Sequence, residues 1–240
     1  MLELLRTALS GTAVVGITGT LSPVVSLLTL VNEEAPDPVI HFWARSVLKA
    51  SGVNTQCAGL ENLPSGNFVL VVNHQSHFDT LVLFTHIRRH LRFVAKQELS
   101  KIPVFGAALK RAGNVFVDRS SSGKDRATLD AALDAVRNRV SIVFFAEGTR
   151  SDDGVLRAFK KGAAIFAIEA QVPLVPAAVA GTHEILPKGT LAIRPRPAAL
   201  VIGQPIETRG LTVDARDQLT DQAHKAVSEC LSQANSMLGG

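Results

Sequence analysis

Apolar and polar positions along this chain change period several times, and the changes mark out its elements. The first long feature is a lack of charge: between Arg6 and Glu33 the stretch TALSGTAVVGITGTLSPVVSLLTLVN holds no ionisable side chain. As a single helix it would reach about 39 Å at ~1.5 Å per residue, more than the ~30 Å hydrocarbon core of a bilayer. Gly11, Gly16, Gly19 and the Ser22-Pro23 step interrupt it, so a Pro-kinked span and a pair of short helices dipping into one leaflet both satisfy the pattern. A buried core helix is the alternative. A secretory signal fits poorly, because Glu3 offsets Arg6 and no small-x-small site precedes the acidic stretch 33–37. The expectation is a hydrophobic helical membrane anchor over residues 1–35, with one α/β domain over 36–240.

After the break NEEAPDPV, helical spacing resumes at Ile40, Trp43, Val47 and Leu48. This helix either lies along a membrane interface, with Arg45 and Lys49 nearby, or packs on the domain surface. Beyond it, strand-like runs at 68–72, 91–95, 114–117, 141–146, 174–180, 191–194 and 198–202 alternate with helical runs at 79–87, 102–112, 124–139 and 160–171. Several strands are continuously apolar, the mark of a strand covered on both faces. The turn RPRPA reads as a hairpin between the last two strands, and residues 214–238 as a terminal amphipathic helix. The fold class expected is α/β, with a mostly parallel central sheet and helices on both faces.

Composition adds little to this picture. Hydrophobic residues make up 46% and charged residues 19% of 240, which suits a folded domain with a continuous core. A net charge of +4 favours anionic partners, but the basic residues are scattered and the chain has no tyrosine, so nucleic acid is not expected. Cys57 and Cys230 lie far apart with no metal-ligand neighbour, and free thiols are the simplest reading.

The chemistry concentrates where apolar strands run into polar turns. VLVVNHQSHFD (69–79) ends a buried strand in His74, His77 and Asp79. In a parallel sheet ligands bind at the carboxyl ends of strands. A five-residue step does not align side chains on a helix, but across a strand-to-helix turn His74 and Asp79 can meet. An imidazole takes a proton from a hydroxyl near neutral pH, and a carboxylate on its other nitrogen fixes the tautomer. Spacing alone leaves three readings open: a catalytic pair, a structural role with Asp79 as helix cap, and a metal site of His74, His77 and Asp79. No G-x-S-x-G turn or paired reactive thiol is present, which points to direct attack by a substrate hydroxyl.

VFFAEGTRSDDG (143–154) has the same form. Gly148 lets backbone approach a ligand, Arg150 offers a planar fork of donors, and Glu147 can hold the turn by accepting backbone hydrogen bonds. RFVAKQEL and GNVFVDR place Lys96 and Arg119 just past two further strands. Converging with Arg150, these cations would hold one anionic group.

NHQSHFD, GNVFVDR, EGTR and VPLVP, in this order, resemble the glycerolipid acyltransferases with a His-x4-Asp motif, nearest to bacterial 1-acyl-sn-glycerol-3-phosphate acyltransferases. The resemblance covers about residues 60–205, FVAKQELSKIPVFG included. One departure is Ala146, where the family often has proline. The resemblance implies that His74 is the general base and Asp79 its orienter. Lys96, Arg119, Glu147, Gly148, Thr149 and Arg150 would form the phosphate-bearing substrate site, with Glu147 organising its turn. It implies no cofactor and no metal. The reaction implied is one-step transfer from acyl-CoA or acyl-carrier protein to the sn-2 hydroxyl of lysophosphatidic acid, giving phosphatidic acid. VPLVP would lie near the acyl donor. The implied location is the inner membrane, in contact with membrane lipids, with the catalytic domain on the cytoplasmic side. Residues 86–92 would either touch anionic headgroups or form a solvated helix end. Acylation of glycerol 3-phosphate or a lyso-ornithine lipid is the nearest rival. A metal-dependent phosphohydrolase and a silent lipid-binding module stand further off.

Overall fold

The computed structural model describes residues 2–117, 126–138 and 140–239. Among them seven strands form one sheet: β1 (Thr55–Ala58), β2 (Val69–Val72), β3 (Leu91–Lys96), β4 (Val115–Val117), β5 (Ser141–Phe145), β6 (Leu174–Ala180) and β7 (Ala198–Ile202). Their order is β1-β7-β6-β2-β5-β3-β4. All neighbours pair in parallel except β6 and β7, which run antiparallel.

Strand β2 lies at the centre, between β5 and β6, and its four residues are buried. The pleat sends Val69 and Val71 to one face and Leu70 and Val72 to the other. On the first face they join the apolar sides of α5 (Arg126–Asn138), α6 (Gly162–Ala170) and α8 (Arg216–Met237). On the second they meet α2 (Asp37–Ala50) and α3 (Phe78–His86). Two covered faces explain the uninterrupted apolar run. Each such side chain contributes about 1.5–3 kcal/mol by leaving water.

Two expected features are absent. Residues 191–194 form no strand, and RPRPA is no hairpin turn. Leu191 is 89% exposed and Ile193 is buried, so the run is an irregular connection whose alternate residues mimic strand period. The edge strand β1, with its short TQCA sequence, went unrecognised because it has no apolar run to mark it.

Helix α1 (Leu2–Leu28) is continuous through Pro23. In the turn before the proline, the Thr20 and Ser22 hydroxyls donate back to the Gly16 and Thr18 carbonyls at 2.8 and 2.7 Å, the i−4 back-bonding of hydroxyl residues inside a helix. The glycines do not break it either. Over Thr7–Leu28 it is long and apolar enough to cross a membrane, by length and composition. One side of it packs on the domain. Val25 is buried with Ala108 and Ala112 beside α4 (Phe105–Arg111), and the Trp43 indole N–H donates to Thr18 Oγ1 at 3.0 Å. The other side leaves Leu9, Val15 and Leu27 exposed.

The α1–α2 junction is fastened to the start of β3. Arg92, only 3% exposed, donates to Asp37 Oδ1 at 3.0 Å and to the Glu33 carbonyl at 2.8 Å. His90 Nδ1 lies 2.6 Å from Asp37 Oδ2. Arg89 is spent on the Ser65 and Gly66 carbonyls. The 86–92 run is therefore largely an internal fastening, at the end of β3 opposite the carboxyl ends of the strands. Helix α2 likewise buries Ala44, Val47 and Leu48 against the core, which is the packed alternative.

Candidate active site

Past Val72 the strand pairing is continued by a side chain. Asn73 Nδ2 donates to the Val179 carbonyl at 2.9 Å, and the Val179 N–H donates to Asn73 Oδ1 at 2.8 Å. This amide mimics one more ladder residue and frees the main chain to turn into α3. The turn brings His74 and Asp79 together: His74 Nδ1 stands 2.7 Å from Asp79 Oδ2. A carboxylate only accepts, so the proton lies on Nδ1 and Nε2 is left with its lone pair. The same Oδ2 accepts the Gln75 and Ser76 N–H groups at 2.7 and 3.0 Å. Asp79 sits in the first turn of α3, past the cap, and serves both the turn and the imidazole. The His74 ring lies flat on Phe145, with centroids 3.9 Å apart and planes 19° apart.

The loop after β5 holds this turn from the other side. Glu147, 4% exposed, accepts the His74 N–H on Oε1 at 2.7 Å and the Arg157 N–H on Oε2 at 3.1 Å. Burial raises its pKa, and the two N–H donors work against that. Each Glu147 oxygen thus accepts one backbone N–H and ties the turn after β2 to the loop after β5. Gly148 adopts φ +75°, which a side chain would strain. The Ser151 N–H donates to the His74 carbonyl at 2.7 Å. Ala146 gives its N–H to the Val72 carbonyl at 3.0 Å, a bond that proline could not make.

The half-buried Arg150 guanidinium makes no hydrogen bond or ion pair with any described residue. It lies near enough to His77 to act on it. The His77 ring keeps solvent access, yet crowding by protein, then Arg150 and His74, lower its pKa to about 4. Thr149 is exposed beside Arg150. Lys188, on the connection after β6, donates to the Arg150 carbonyl at 3.2 Å and pairs with Asp152 at 2.8 Å.

The structure thus brings His74, Asp79, Glu147, Gly148 and Arg150 to the carboxyl ends of β2 and β5. Lys96 ends β3 on the same side, although only its backbone is described. Arg119 lies outside the described residues. VPLVP does not reach the turn. Its Leu174 pairs with Val69 at the far end of the sheet, where β6 is buried throughout. Among the described residues no three His, Cys, Asp or Glu side chains group as metal ligands.

Two participants escaped the sequence reading. Gln75 and Thr182 are both buried around Asp79. Thr182 opens α7 (Thr182–Ile185) and its hydroxyl donates to Asp79 Oδ1. Nothing local marks it, since the two residues are 103 apart in sequence.

A His–Asp pair at the end of a parallel strand is an arrangement that can take a proton from a hydroxyl. Residues 54–180 match the family model described as Acyltransferase, and the chain belongs to that family. It is 34% identical over 197 residues to a chloroplastic 1-acyl-sn-glycerol-3-phosphate acyltransferase of Brassica napus, covering 81% of this chain and 55% of that protein. It is 32% identical to the enzyme of that name from Limnanthes douglasii, covering 83% and 71%. The crystal structure of the 1-acyl-sn-glycerophosphate (LPA) acyltransferase from Thermotoga maritima superposes with a TM-score of 0.81 at 27% identity, covering 96% of this chain and 95% of that one. The chain spans 44% to 63% of the length of three plant and algal relatives, the Brassica protein among them.

Proposed function

We propose that this protein acylates lysophosphatidic acid at its free hydroxyl, yielding phosphatidic acid. The observation that carries this reading is the His74–Asp79 hydrogen bond of 2.7 Å at the end of β2, beside Arg150, whose guanidinium has no hydrogen-bond or ion-pair partner among the described residues. The names of the relatives, acyltransferases of 1-acyl-sn-glycerol 3-phosphate, support this acceptor. Asp79 holds the Nδ1–H tautomer, and His74 Nε2 takes the proton of the acceptor hydroxyl. The hydroxyl oxygen bonds to the thioester carbonyl carbon of acyl-CoA or acyl-carrier protein. The carbon–sulfur bond then breaks, and the departing thiolate takes the proton back from His74. Arg150 holds the acceptor phosphate, with Lys96, Arg119, Gly148 and Thr149 beside it, while Glu147 keeps the turn in shape. Residues 1–35, with the apolar α1, attach the domain to the membrane that holds the acceptor. In a bacterial cell that is the cytoplasmic face of the inner membrane.

The test is purified protein with oleoyl-CoA and a panel of lyso-acceptors, followed by release of free CoA. Release that needs lysophosphatidate, and that falls by at least about 10³-fold in His74→Ala, is expected. Arg150→Met should raise the acceptor KM with a smaller effect on kcat. Release driven by glycerol 3-phosphate or a lyso-ornithine lipid would move the substrate. Undiminished turnover in His74→Ala would overturn the mechanism.

A further inference from the structure

We propose that Thr182 is a positioning residue for the reaction: its hydroxyl holds Asp79 in the one orientation that fixes the His74 ring. This rests on the reading of His74 as general base. Asp79 is 0% exposed, and its two oxygens have separate tasks. Oδ2 serves the His74 ring and the Gln75 and Ser76 N–H groups. Oδ1 has one partner among the described residues, the Thr182 hydroxyl.

Thr182 is itself 0% exposed. A hydroxyl has a single proton to give, and two acceptors are in reach. Gln75 Oε1 stands at 3.4 Å and faces His183 Nδ1 at 3.2 Å. The carboxylate oxygen is nearer and charged, so the proton goes there.

The fold delivers this contact through several ties. Asn73 locks the end of β6 beside β2. The chain then leaves β6 at Gly181, with φ +85°, where a Cβ would come within 2.5 Å of the Pro197 carbonyl. Only glycine permits that turn, and it places Thr182 over Asp79. The Ser76 hydroxyl donates to the Leu186 carbonyl at 3.0 Å, clamping the two segments together. Without the Thr182 hydroxyl, Oδ1 becomes a buried, charged oxygen with no donor. The carboxylate then turns toward another partner, and the imidazole loses its fixed orientation.

Thr182→Val keeps the side-chain shape and removes the donor. Thr182→Ser keeps the donor and removes a methyl. With lysophosphatidate and oleoyl-CoA, the valine variant should lose about 10- to 100-fold in kcat, the worth of one hydrogen bond to a buried charge. Its KM values should stay within about twofold, because no substrate contact changes. Serine should recover most of the rate. The downfield proton resonance of His74 Nδ1–H, assigned by its loss in His74→Ala, should broaden or vanish in valine and persist in serine. Wild-type kcat in Thr182→Val, or equal losses in valine and serine, would overturn the proposal. If valine does not fold, alanine against serine makes the same comparison, and equal rates there overturn it too. The two levels separate cleanly. Turnover in His74→Ala defeats the general base itself, whereas a dead His74→Ala beside a fully active Thr182→Val defeats the role of Thr182 alone.

Discussion

His77 shows how one position in NHQSHFD differs from its neighbour. Its ring titrates at about 4, against 6.5 for an ordinary histidine, because protein crowds it and Arg150 and His74 repel a proton. Between those two values the unfolded chain binds a proton that the folded protein refuses. Stability from this group is therefore complete above pH 6.5 and declines as pH falls toward 4. Its exposed ring tempers the slope. Proton NMR of the His77 ring should give a midpoint near 4, and Arg150→Met should move it upward. An unmoved midpoint would separate Arg150 from the His77 side of the site. At this scale the sequence told much. The contrast of an apolar strand running into a polar turn marked His74, Glu147 and Arg150 as candidates, and the structure places them together at the ends of β2 and β5, with Asp79 in the first turn of α3. Thr182 and Gln75 were not marked, since their importance lies in what stands opposite them.

The elements tell a similar story through the Arg92 fastening. A histidine–arginine run looks like surface charge, but Arg92 is buried and paired with Asp37 across the α1–α2 junction. Removing one partner of such a pair leaves an uncompensated charge, costing about 3 kcal/mol or more. Asp37→Ala should lower unfolding stability by that amount in urea titration. Adding Arg92→Met should return most of it, because the orphaned charge goes too. If the double variant is no better than Asp37→Ala, the loss comes from elsewhere in the junction. The strands β2, β3, β4, β5, β6 and β7 were recognisable from apolar runs, and α2, α3, α4, α5, α6 and α8 lie close to the expected helical runs, whereas the short α7 was not expected. The failure was the irregular 191–194, where alternating exposure imitates a strand; for the apolar α1, the pattern left a Pro-kinked span and two short helices both open, and the structure has one helix through Pro23. Packing on α2 and α4 holds the helix through Pro23.

At the scale of the molecule, α1 is docked on one side and open on the other. Leu9, Val15 and Leu27 are left largely exposed by the described residues. We expect Leu9→Gln/Val15→Gln/Leu27→Gln to weaken sedimentation with phospholipid vesicles about tenfold or more, since one exposed aliphatic entering an apolar phase is worth about 1.5–3 kcal/mol. Turnover of a short-chain, water-soluble lysophosphatidate should persist, because none of the three borders the His74 turn. Vesicle binding that survives the triple change would assign attachment to another surface. The Arg92 fastening gives such attachment a consequence, for it ties the base of the α1–α2 pair to the sheet that carries the site.

The sequence by itself determined which segments are buried, which turns hold the candidate polar groups, and that the sheet is mostly parallel. Each of these follows from a local relation between apolar period, turn residues and the water a segment avoids. The tertiary structure alone decided the strand order, the reversal of β7, the docking of α1 and the hydroxyl behind Asp79. Those depend on which distant segments share a face, and the separation of 103 positions between Asp79 and Thr182 is bridged only by the lateral order of β2 and β6.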